Sequence, residues 1–188
     1  MKIEPKLQAM NYSLEGQETK RLTFRLLAES DFDRWMTLFL DKSVALYLGM
    51  DITLSAKELC RLWFDKIFHR YDNNLGVMNA LVDKRSDLLI GQCGLLVQSI
   101  ENEARLEIGY SMLPDYWNRG FATEAAQKCR DYAFENSLCE SLISIVHVDN
   151  VGSKKVAVNN GMKFEKYLKN YKGAPMNVFS IAKEEWNK

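Results

Sequence analysis

The chain has 188 residues, 47% of them hydrophobic, with 25 basic and 25 acidic side chains. This length suits one domain with a sizeable core, and the balanced charge does not favour nucleic acid or an anionic membrane as a partner. Cys60, Cys93, Cys129 and Cys139 are scattered without a C-x-x-C pair, so we expect no metal site and reduced thiols in a cytoplasmic protein.

The beginning of the chain is polar and charged. We expect residues 1–20 to form an N-terminal arm or an added edge segment, followed by a single domain over residues 21–188. No apolar run approaches the length of a membrane span, so we expect no membrane partner. The run LTFRLL predicts a strand over 22–27, and helical spacing then predicts an amphipathic helix. The apolar stripe of this helix contains Phe32, Trp35, Met36, Phe39 and Leu40.

The rest of the chain predicts two long helices, one short helix and further strands. Ser55 and Glu58 have the spacing of a capping box at the start of a helix over 55–71. A helix over 120–136 is predicted from its run of strong helix formers. The remaining predicted elements are strands over 76–82, 88–98, 104–112 and 142–148, a short helix around 153–159, and strands near 162–168 and 176–182.

These elements together predict the fold class. We expect an α/β (α+β) fold with one mixed, mostly antiparallel central sheet and helices on both faces. The strands that flank the helix over 120–136 are expected to form a parallel pair, because a helical crossover joins parallel neighbours. No internal repeat or low-complexity tract divides the chain.

The stretch 110–126, YSMLPDYWNRGFATEAA, contains the strongest functional signal. An apolar strand ends shortly before Gly120, which precedes the helix formers. A helix start presents unpaired N–H groups and the positive end of the helix dipole, so it is suited to an anion. Gly120 and Ala122 are small enough to let a diphosphate approach the backbone, and Asn118 and Arg119 add polar and cationic reach. The structural alternative is an ordinary joint with a capping glycine.

Six segments of the chain carry a wider pattern. They are RLTFRLLAESDF (21–32), IGQCGL (90–95), LEIGYSMLPDYWNRGFATEAA (106–126), DNVGS (149–153), NNGMKFE (159–165) and EEW (184–186). In order and spacing they resemble the GNAT superfamily of acetyl-CoA-dependent N-acetyltransferases, in the RimJ/RimL-like branch of ribosomal-protein N-terminal acetyltransferases. One departure is Trp117, where many relatives outside this branch have Arg or Gln.

The resemblance implies a GNAT fold that binds acetyl-CoA as the acyl donor, without a metal, and transfers an acetyl group to a primary amine. It implies that the backbone at Met112 and Leu113 pairs with the pantetheine arm and that an N–H group there polarises the thioester carbonyl. The cofactor-binding residues at matching positions are Met112, Leu113, Asn118, Arg119, Gly120, Phe121, Ala122, Thr123, Asn150 and Ser153.

Glu107 is the candidate general base. Acyl transfer to an amine needs a base because an aliphatic amine is charged at neutral pH. Glu107 lies on the strand that enters the cofactor turn, on the face opposite Leu106 and Ile108, and it matches the family's Glu-x-Gly position. A carboxylate near a partly dry cleft can have its pKa shifted toward neutral pH. The alternative is a cross-strand ion pair on a solvated face.

Asn150 and Ser153 form an N-x-x-S pair at a predicted helix start. Helix capping alone would account for both residues. In the family branch that the sequence resembles, the matching Asn contacts the cofactor arm and the matching Ser is a proposed proton donor to the thiolate. Tyr167 and Tyr171 are rival donors, because a phenol has a lower intrinsic pKa than an aliphatic hydroxyl.

The predicted function is acetyl transfer from acetyl-CoA to an amine by direct attack in a ternary complex. The competing prediction is a non-catalytic acyl-CoA-binding sensor or regulatory module, which would keep the cofactor turn but lack a working base. The acceptor is left open between a small-molecule amine and a protein N-terminus. The oligomeric state is left open between a monomer and a homodimer.

Overall fold

The computed structural model describes residues 10–186, which form a mixed sheet of seven strands in the order β1-β2-β3-β4-β5-β7-β6. The strands are β1 (Leu22–Arg25), β2 (Gly76–Asp83), β3 (Leu88–Ile100), β4 (Glu103–Met112), β5 (Ser141–His147), β6 (Lys163–Tyr171) and β7 (Ala174–Ala182). All neighbours are antiparallel except β4 and β5, which are parallel. The predicted fold class and its parallel pair are therefore confirmed.

Five α-helices lie on the two faces of the sheet in the described part of the chain. They are α1 (Phe32–Met36), α2 (Lys42–Tyr47), α3 (Ala56–Asp72), α4 (Phe121–Glu135) and α5 (Val151–Asn159). The capping box predicted for α3 is confirmed, because Ser55 Oγ accepts from the Glu58 N–H and the Glu58 side chain accepts from the Ser55 N–H. None of these helices has the length and apolar character that a membrane crossing requires.

Alternation along the central strands gives the sheet two apolar faces. On one face, Ile108, Leu95 and their neighbours pack in a core with Ala125 and Cys129 of α4. On the other face, Leu96 and its neighbours pack in a core with the aromatic side chains of α1 and α3. Because both faces are covered, a ligand can reach the middle of the sheet only where two strands separate.

Such a separation occurs between β4 and β5. Their parallel pairing is limited to Leu106 with Leu142 and Glu107 with Ile143. Beyond Glu107 the two strands diverge toward their carboxyl ends, and the backbone of β4 is left open on that side. This opening in the sheet decides where the functional site lies.

The first helical segment differs from its predicted form. Instead of one continuous helix, α1 is followed by a 3₁₀ turn over Thr37–Leu40. A 3₁₀ turn has fewer residues per turn than an α-helix, so the end of the turn is rotated away from the apolar stripe of α1. Leu40 is consequently 71% exposed, whereas Leu38 is buried.

The N-terminal segment packs against the sheet where the structure describes it. Residues 1–9 of the predicted arm lie outside the described residues, as do residues 187–188 of the predicted domain. Tyr12 and Leu14 are fully buried in the core that contains α4. Glu18 forms an isolated antiparallel bridge with Thr23.

Candidate active site

A cleft of about 750 Å³ lies where β4 and β5 diverge. We call it the larger cleft; it is bounded by the carboxyl ends of β4 and β5, the start of α4, and α5. Its lining includes eight of the predicted cofactor-binding residues: Met112, Asn118, Gly120, Phe121, Ala122, Thr123, Asn150 and Ser153. Segments that are separate in sequence are thus brought together around one opening.

The start of α4 is built to receive an anion. Gly120 is the N-cap residue, with φ 78° and ψ 1°, and it provides no side-chain cap. A left-handed conformation costs roughly 1–2 kcal/mol for a residue with a Cβ, so glycine suits this position. The N–H groups of the first turn have no acceptor within the helix, and together with the helix dipole they favour a negative group in the cleft.

Two of the predicted cofactor residues do not line the larger cleft. The side chain of Leu113 packs in the core with α3, and its N–H donates to the carbonyl oxygen of Ile90 at 2.9 Å. The Arg119 guanidinium lies 5.2 Å from the ring of Tyr116 and 5.4 Å from that of Phe121, measured from its central carbon. Arg119 therefore lies close to the start of α4 without lining the cleft.

The orientation of Leu113 identifies which backbone groups of β4 face the opening. Backbone groups of successive strand residues point to opposite sides, so those of Met112 point away from β3. In agreement, the Trp117 indole N–H donates to the Met112 carbonyl oxygen at 2.6 Å, and Ser144 Oγ donates to the Ile108 carbonyl oxygen at 2.9 Å. The N–H groups on the open side are those of the even-numbered residues, including Met112 rather than Leu113.

A second cavity of about 130 Å³ lies beside the larger cleft. We call it the smaller pocket; it is bounded by α3, β3, β4 and the turn between β6 and β7. Its lining contains Glu107 and Tyr171. The two cavities share a set of boundary residues, which are Tyr47, Leu48, Tyr110, Ile145 and Ser153. A molecule in the smaller pocket would therefore meet a molecule in the larger cleft at this boundary.

Glu107 lines the smaller pocket and is buried, with 7% of its surface exposed. Gln98 Nε2 donates to Glu107 Oε2 at 2.5 Å, and the Ile145 N–H donates to Oε1 at 3.4 Å. Burial raises the pKa of the Glu107 carboxyl, although the hydrogen bond from Gln98 and the positive charge of Arg70 oppose that shift. A carboxyl with a raised pKa is suited to exchange protons near neutral pH.

Ser153 lies on the boundary between the two cavities. Asn150 is the N-cap of α5, and its Oδ1 accepts from the Ser153 N–H at 2.9 Å. The capping bond uses the backbone of Ser153, so its hydroxyl is left to make another contact. Ser153 Oγ donates to Tyr110 Oη at 3.3 Å, and the Tyr110 hydroxyl donates to the Ser153 carbonyl oxygen at 2.8 Å.

The two rival tyrosines lie in different environments. Tyr167 on β6 is 53% exposed and is not among the residues that line either cavity. Tyr171 lines the smaller pocket and donates to Gln98 Oε1 at 3.2 Å. Burial raises the pKa of Tyr171 to about 12.

Sequence reasoning did not assign several residues that the structure places in the site. Tyr110 lies in the predicted strand over 104–112 and was given no role in the site, yet its hydroxyl bonds Ser153 on the boundary. Lys66 and Arg70 lie within the predicted helix over 55–71 and were given no role in the site. Gln98 and Lys172 had no distinguishing pattern, because they come near Glu107 only through strand register and a turn. In the described chain, no group of three or more His, Cys, Asp or Glu side chains is arranged to hold a metal ion.

Comparison with known protein families agrees with this geometry. The model of an acetyltransferase (GNAT) domain matches residues 21–163. In sequence, the chain is similar to the uncharacterised protein YkkB of Bacillus subtilis, with 31% identity over 81% of this chain and 88% of YkkB. It is also similar to the uncharacterised N-acetyltransferase YoaA of Bacillus subtilis, with 27% identity over 88% and 96% of the two chains.

Solved structures share the fold at lower identity. An acetyltransferase from Agrobacterium tumefaciens has a TM-score of 0.72 at 24% identity, covering 92% and 96% of the chains. RimL, a ribosomal L7/L12 alpha-N-protein acetyltransferase in complex with coenzyme A, has a TM-score of 0.71 at 16% identity, and the match covers 89% of this chain and 97% of RimL. Spermidine N-acetyltransferase from Vibrio cholerae, in complex with CoA and spermine, has a TM-score of 0.66 at 20% identity, and the match covers 89% of this chain and 98% of that protein. The chain belongs to the GNAT family and is an acetyltransferase, with acetyl-CoA as the family's acyl donor.

Proposed function

We propose that this protein transfers the acetyl group of acetyl-CoA to a primary amine by direct attack in a ternary complex, as a member of the RimJ/RimL-like branch. One observation carries the proposal: a buried carboxyl, Glu107, lines the smaller pocket, which meets the larger cleft at Ser153 and Tyr110. Two reactants held in the two cavities would be brought together there, which lowers the entropic cost of their reaction.

The residues of the larger cleft fit acetyl-CoA. The first turn of α4 after Gly120 would hold the diphosphate through its N–H groups, and Asn150 would contact the cofactor arm. The outward N–H groups of Tyr110 and Met112 on the open side of β4 are the proposed donors to the thioester carbonyl oxygen. Bound acetyl-CoA supplies an activated acyl group, and these residues orient it toward the boundary.

Glu107 is the proposed general base. The amine nitrogen bonds to the acetyl carbon as the carbon–sulfur bond breaks, and Glu107 takes the proton that the amine gives up. Because burial raises its pKa, the carboxylate is a stronger base than an exposed Glu. The amide of Gln98 holds Glu107 Oε2 in a fixed position at 2.5 Å.

Ser153 is the proposed proton donor on the cofactor side. Its hydroxyl, oriented by the hydrogen bond to Tyr110, supplies a proton to the departing sulfur, and the proton is replaced from water in the larger cleft after CoA leaves. Tyr171 and Tyr167 are weaker candidates for this role. Tyr171 is engaged with Gln98 on the acceptor side, and Tyr167 lies away from both cavities.

Binding and turnover measured together test the proposal. Acetyl-CoA at about a hundredfold over its Kd stabilises a protein by roughly 2.7 kcal/mol, which raises Tm by about 5–10 °C for a domain of this size. A panel of primary amines is then assayed for amine-dependent release of the CoA thiol, with the acetylated product identified by mass. Binding without any amine-dependent release would favour the non-catalytic acyl-CoA sensor, and the absence of binding would overturn both functions.

A further inference from the structure

Three cationic side chains surround the smaller pocket, and none of them has a carboxylate within ion-pair distance among the described residues. Lys66 and Lys172 line the pocket, and Arg70, only 7% exposed, is hydrogen-bonded to the lining residue Gln98. Over residues 10–186, the ion pairs of the structure include none of these three cations. Lys66 and Lys172 keep contact with water, whereas Arg70 is buried, and a buried cation is normally paired. The side chains around this pocket therefore include more cations than carboxylates.

The partners that these cations do have are neutral. Lys172 Nζ donates to Gln98 Oε1 at 2.9 Å, and Arg70 Nη2 donates to the same oxygen at 3.4 Å. Lys66 Nζ lies 5.6 Å from the centre of the Trp63 ring. Hydrogen bonds and a ring contact hold the three groups in place without cancelling their charge.

Counting charges around the pocket gives a positive total. Helix α3 contributes Lys66 and Arg70, the turn between β6 and β7 contributes Lys172, and β4 contributes the carboxyl of Glu107. Burial, followed by the like charges of Arg70 and Lys172, lowers the pKa of Lys66. Three cations thus face one carboxyl, and an additional anion in the pocket would relieve their mutual repulsion.

We propose that the amine acceptor is a small molecule with a carboxylate close to its amino group, and that Lys66 and Lys172 bind this carboxylate while Glu107 faces the amine. The inference rests on the proposed acetyl-transfer function and narrows its acceptor class to amino-acid-like compounds. Binding both charges of the acceptor would fix the amine at the boundary with the larger cleft, where Ser153 lies.

Size and charge both favour such an acceptor over a polyamine. The smaller pocket has a volume of about 130 Å³, whereas one water molecule takes up roughly 30 Å³ of the liquid. The pocket therefore accommodates a compound of a few heavy atoms. A polyamine would add positive charge to a site that already has an excess, which is unfavourable for binding.

The test compares matched acceptors that differ only in the anionic group. We would measure kcat/KM for a set of α-amino acids and for their α-amides, with spermidine as a polycation and short peptides with and without an acidic second residue. The amides have the less basic amines, so this bias opposes the expected result. We expect a kcat/KM about 10- to 100-fold higher for the carboxylates, the scale of one charge-assisted hydrogen bond.

Charge variants identify the groups responsible. Lys66→Glu should lower the carboxylate-to-amide ratio of kcat/KM by about 10-fold or more, mainly through KM. Lys172→Asn should lower it less, and Asn tolerates the left-handed φ of 53° at this position. Lys57→Glu is the matched control, because Lys57 is exposed in the first turn of α3 and should leave the ratio unchanged.

Each outcome of these assays either supports or overturns the proposed carboxylate-bearing acceptor. A carboxylate preference that Lys66→Glu removes and Lys57→Glu keeps supports the inference. Acetylation of amines with no carboxylate preference, a preference that Lys66→Glu leaves intact, or a clear preference for acidic peptides over amino acids overturns it and leaves the proposed acetyl transfer standing. No acetylation of any amine, in a protein that binds acetyl-CoA, overturns the proposed function and this inference with it.

Discussion

The larger cleft and the smaller pocket are built in different ways. The larger cleft depends on backbone groups at the start of α4 and along the end of β4, and most of its residues come from short continuous segments. The smaller pocket depends on side chains, and it brings Lys66 from α3 and Lys172 from a distant turn to Glu107. Backbone groups suit a ligand that every family member binds, whereas side chains can change with the acceptor.

This difference predicts different consequences of mutation. Substitutions in the smaller pocket should change turnover and acceptor choice while leaving cofactor affinity in place. Substitutions at the start of α4 should change cofactor affinity. Residues on the boundary, such as Ser153, should affect turnover alone, because they contact both cavities without forming the main binding groups of either.

The largest effect is expected for Glu107→Gln. It keeps the size and polarity of the side chain but removes the base, so kcat should fall by about 10²–10⁴-fold. Affinity for CoA, measured by calorimetry, should stay nearly constant. Glu103→Gln is the matched control, because Glu103 begins the same strand and is exposed. Equal loss of activity in both variants, or full activity in Glu107→Gln, would remove Glu107 from the mechanism.

The pH dependence of the same variant sharpens this assignment. Because the pKa of Glu107 is raised above 4.5, wild-type kcat/KM should fall as pH drops through a value above that of an ordinary Glu, and the Glu107→Gln profile should lack this limb. The protonated carboxyl stabilises the fold at low pH, and this contribution is lost as pH rises through the raised pKa. The Tm of Glu107→Gln at neutral pH should therefore equal or exceed that of the wild type.

A smaller fall in turnover is expected for Ser153→Ala. Loss of the proton donor should lower kcat by about 10²-fold, while Tm hardly changes, since the cap from Asn150 uses the retained backbone N–H. Tyr167→Phe, at an exposed position, should be without effect. If Tyr171→Phe lost turnover while Ser153→Ala kept it, Tyr171 would replace Ser153 as the proton donor.

Gly120→Val tests the start of α4, with Gly16→Val as its control. Both glycines have φ 78°, so both variants should lose roughly 1–2 kcal/mol of stability through backbone strain. Only Gly120→Val should weaken CoA binding, by about 10-fold, which is within the range for an anion at a helix start. Normal CoA affinity in a folded Gly120→Val protein would show that the diphosphate binds elsewhere.

The smallest effect is expected for Asn150→Ala. This change removes the side-chain cap of α5, so the free energy of unfolding should fall by about 0.5–2 kcal/mol, measured by urea denaturation. Asn159→Ala at the other end of α5 should retain full stability, because the cap is kept. A stable Asn150→Ala protein would indicate that the cap bond to Ser153 contributes little to the helix.

The fold class and the strand–turn–helix form of the segment around Gly120 could be predicted from residue patterns that are local in the sequence. The capping box at Ser55 was recognisable from spacing alone, and the parallel strand pair followed from the helix between its strands. Leu40 was placed on the buried stripe because the 3₁₀ turn after α1 leaves no clear sign in the sequence. The sequence did not show that the N–H group of Leu113 faces β3, because this orientation depends on the pairing of Leu113 with Ile90.

The sequence by itself determined the family, the fold class and the start of α4, because these depend on periodicity and on residues that are close together in the chain. Only the tertiary structure decided the surroundings of Glu107. Gln98 on β3 pairs with Arg105 on β4, and Arg105 is two residues before Glu107 on that strand. Gln98 is therefore a diagonal neighbour of Glu107 across the two strands and reaches its carboxyl. Strand register and the β6–β7 turn, which act over long sequence separations, also place Lys172 within reach of Gln98.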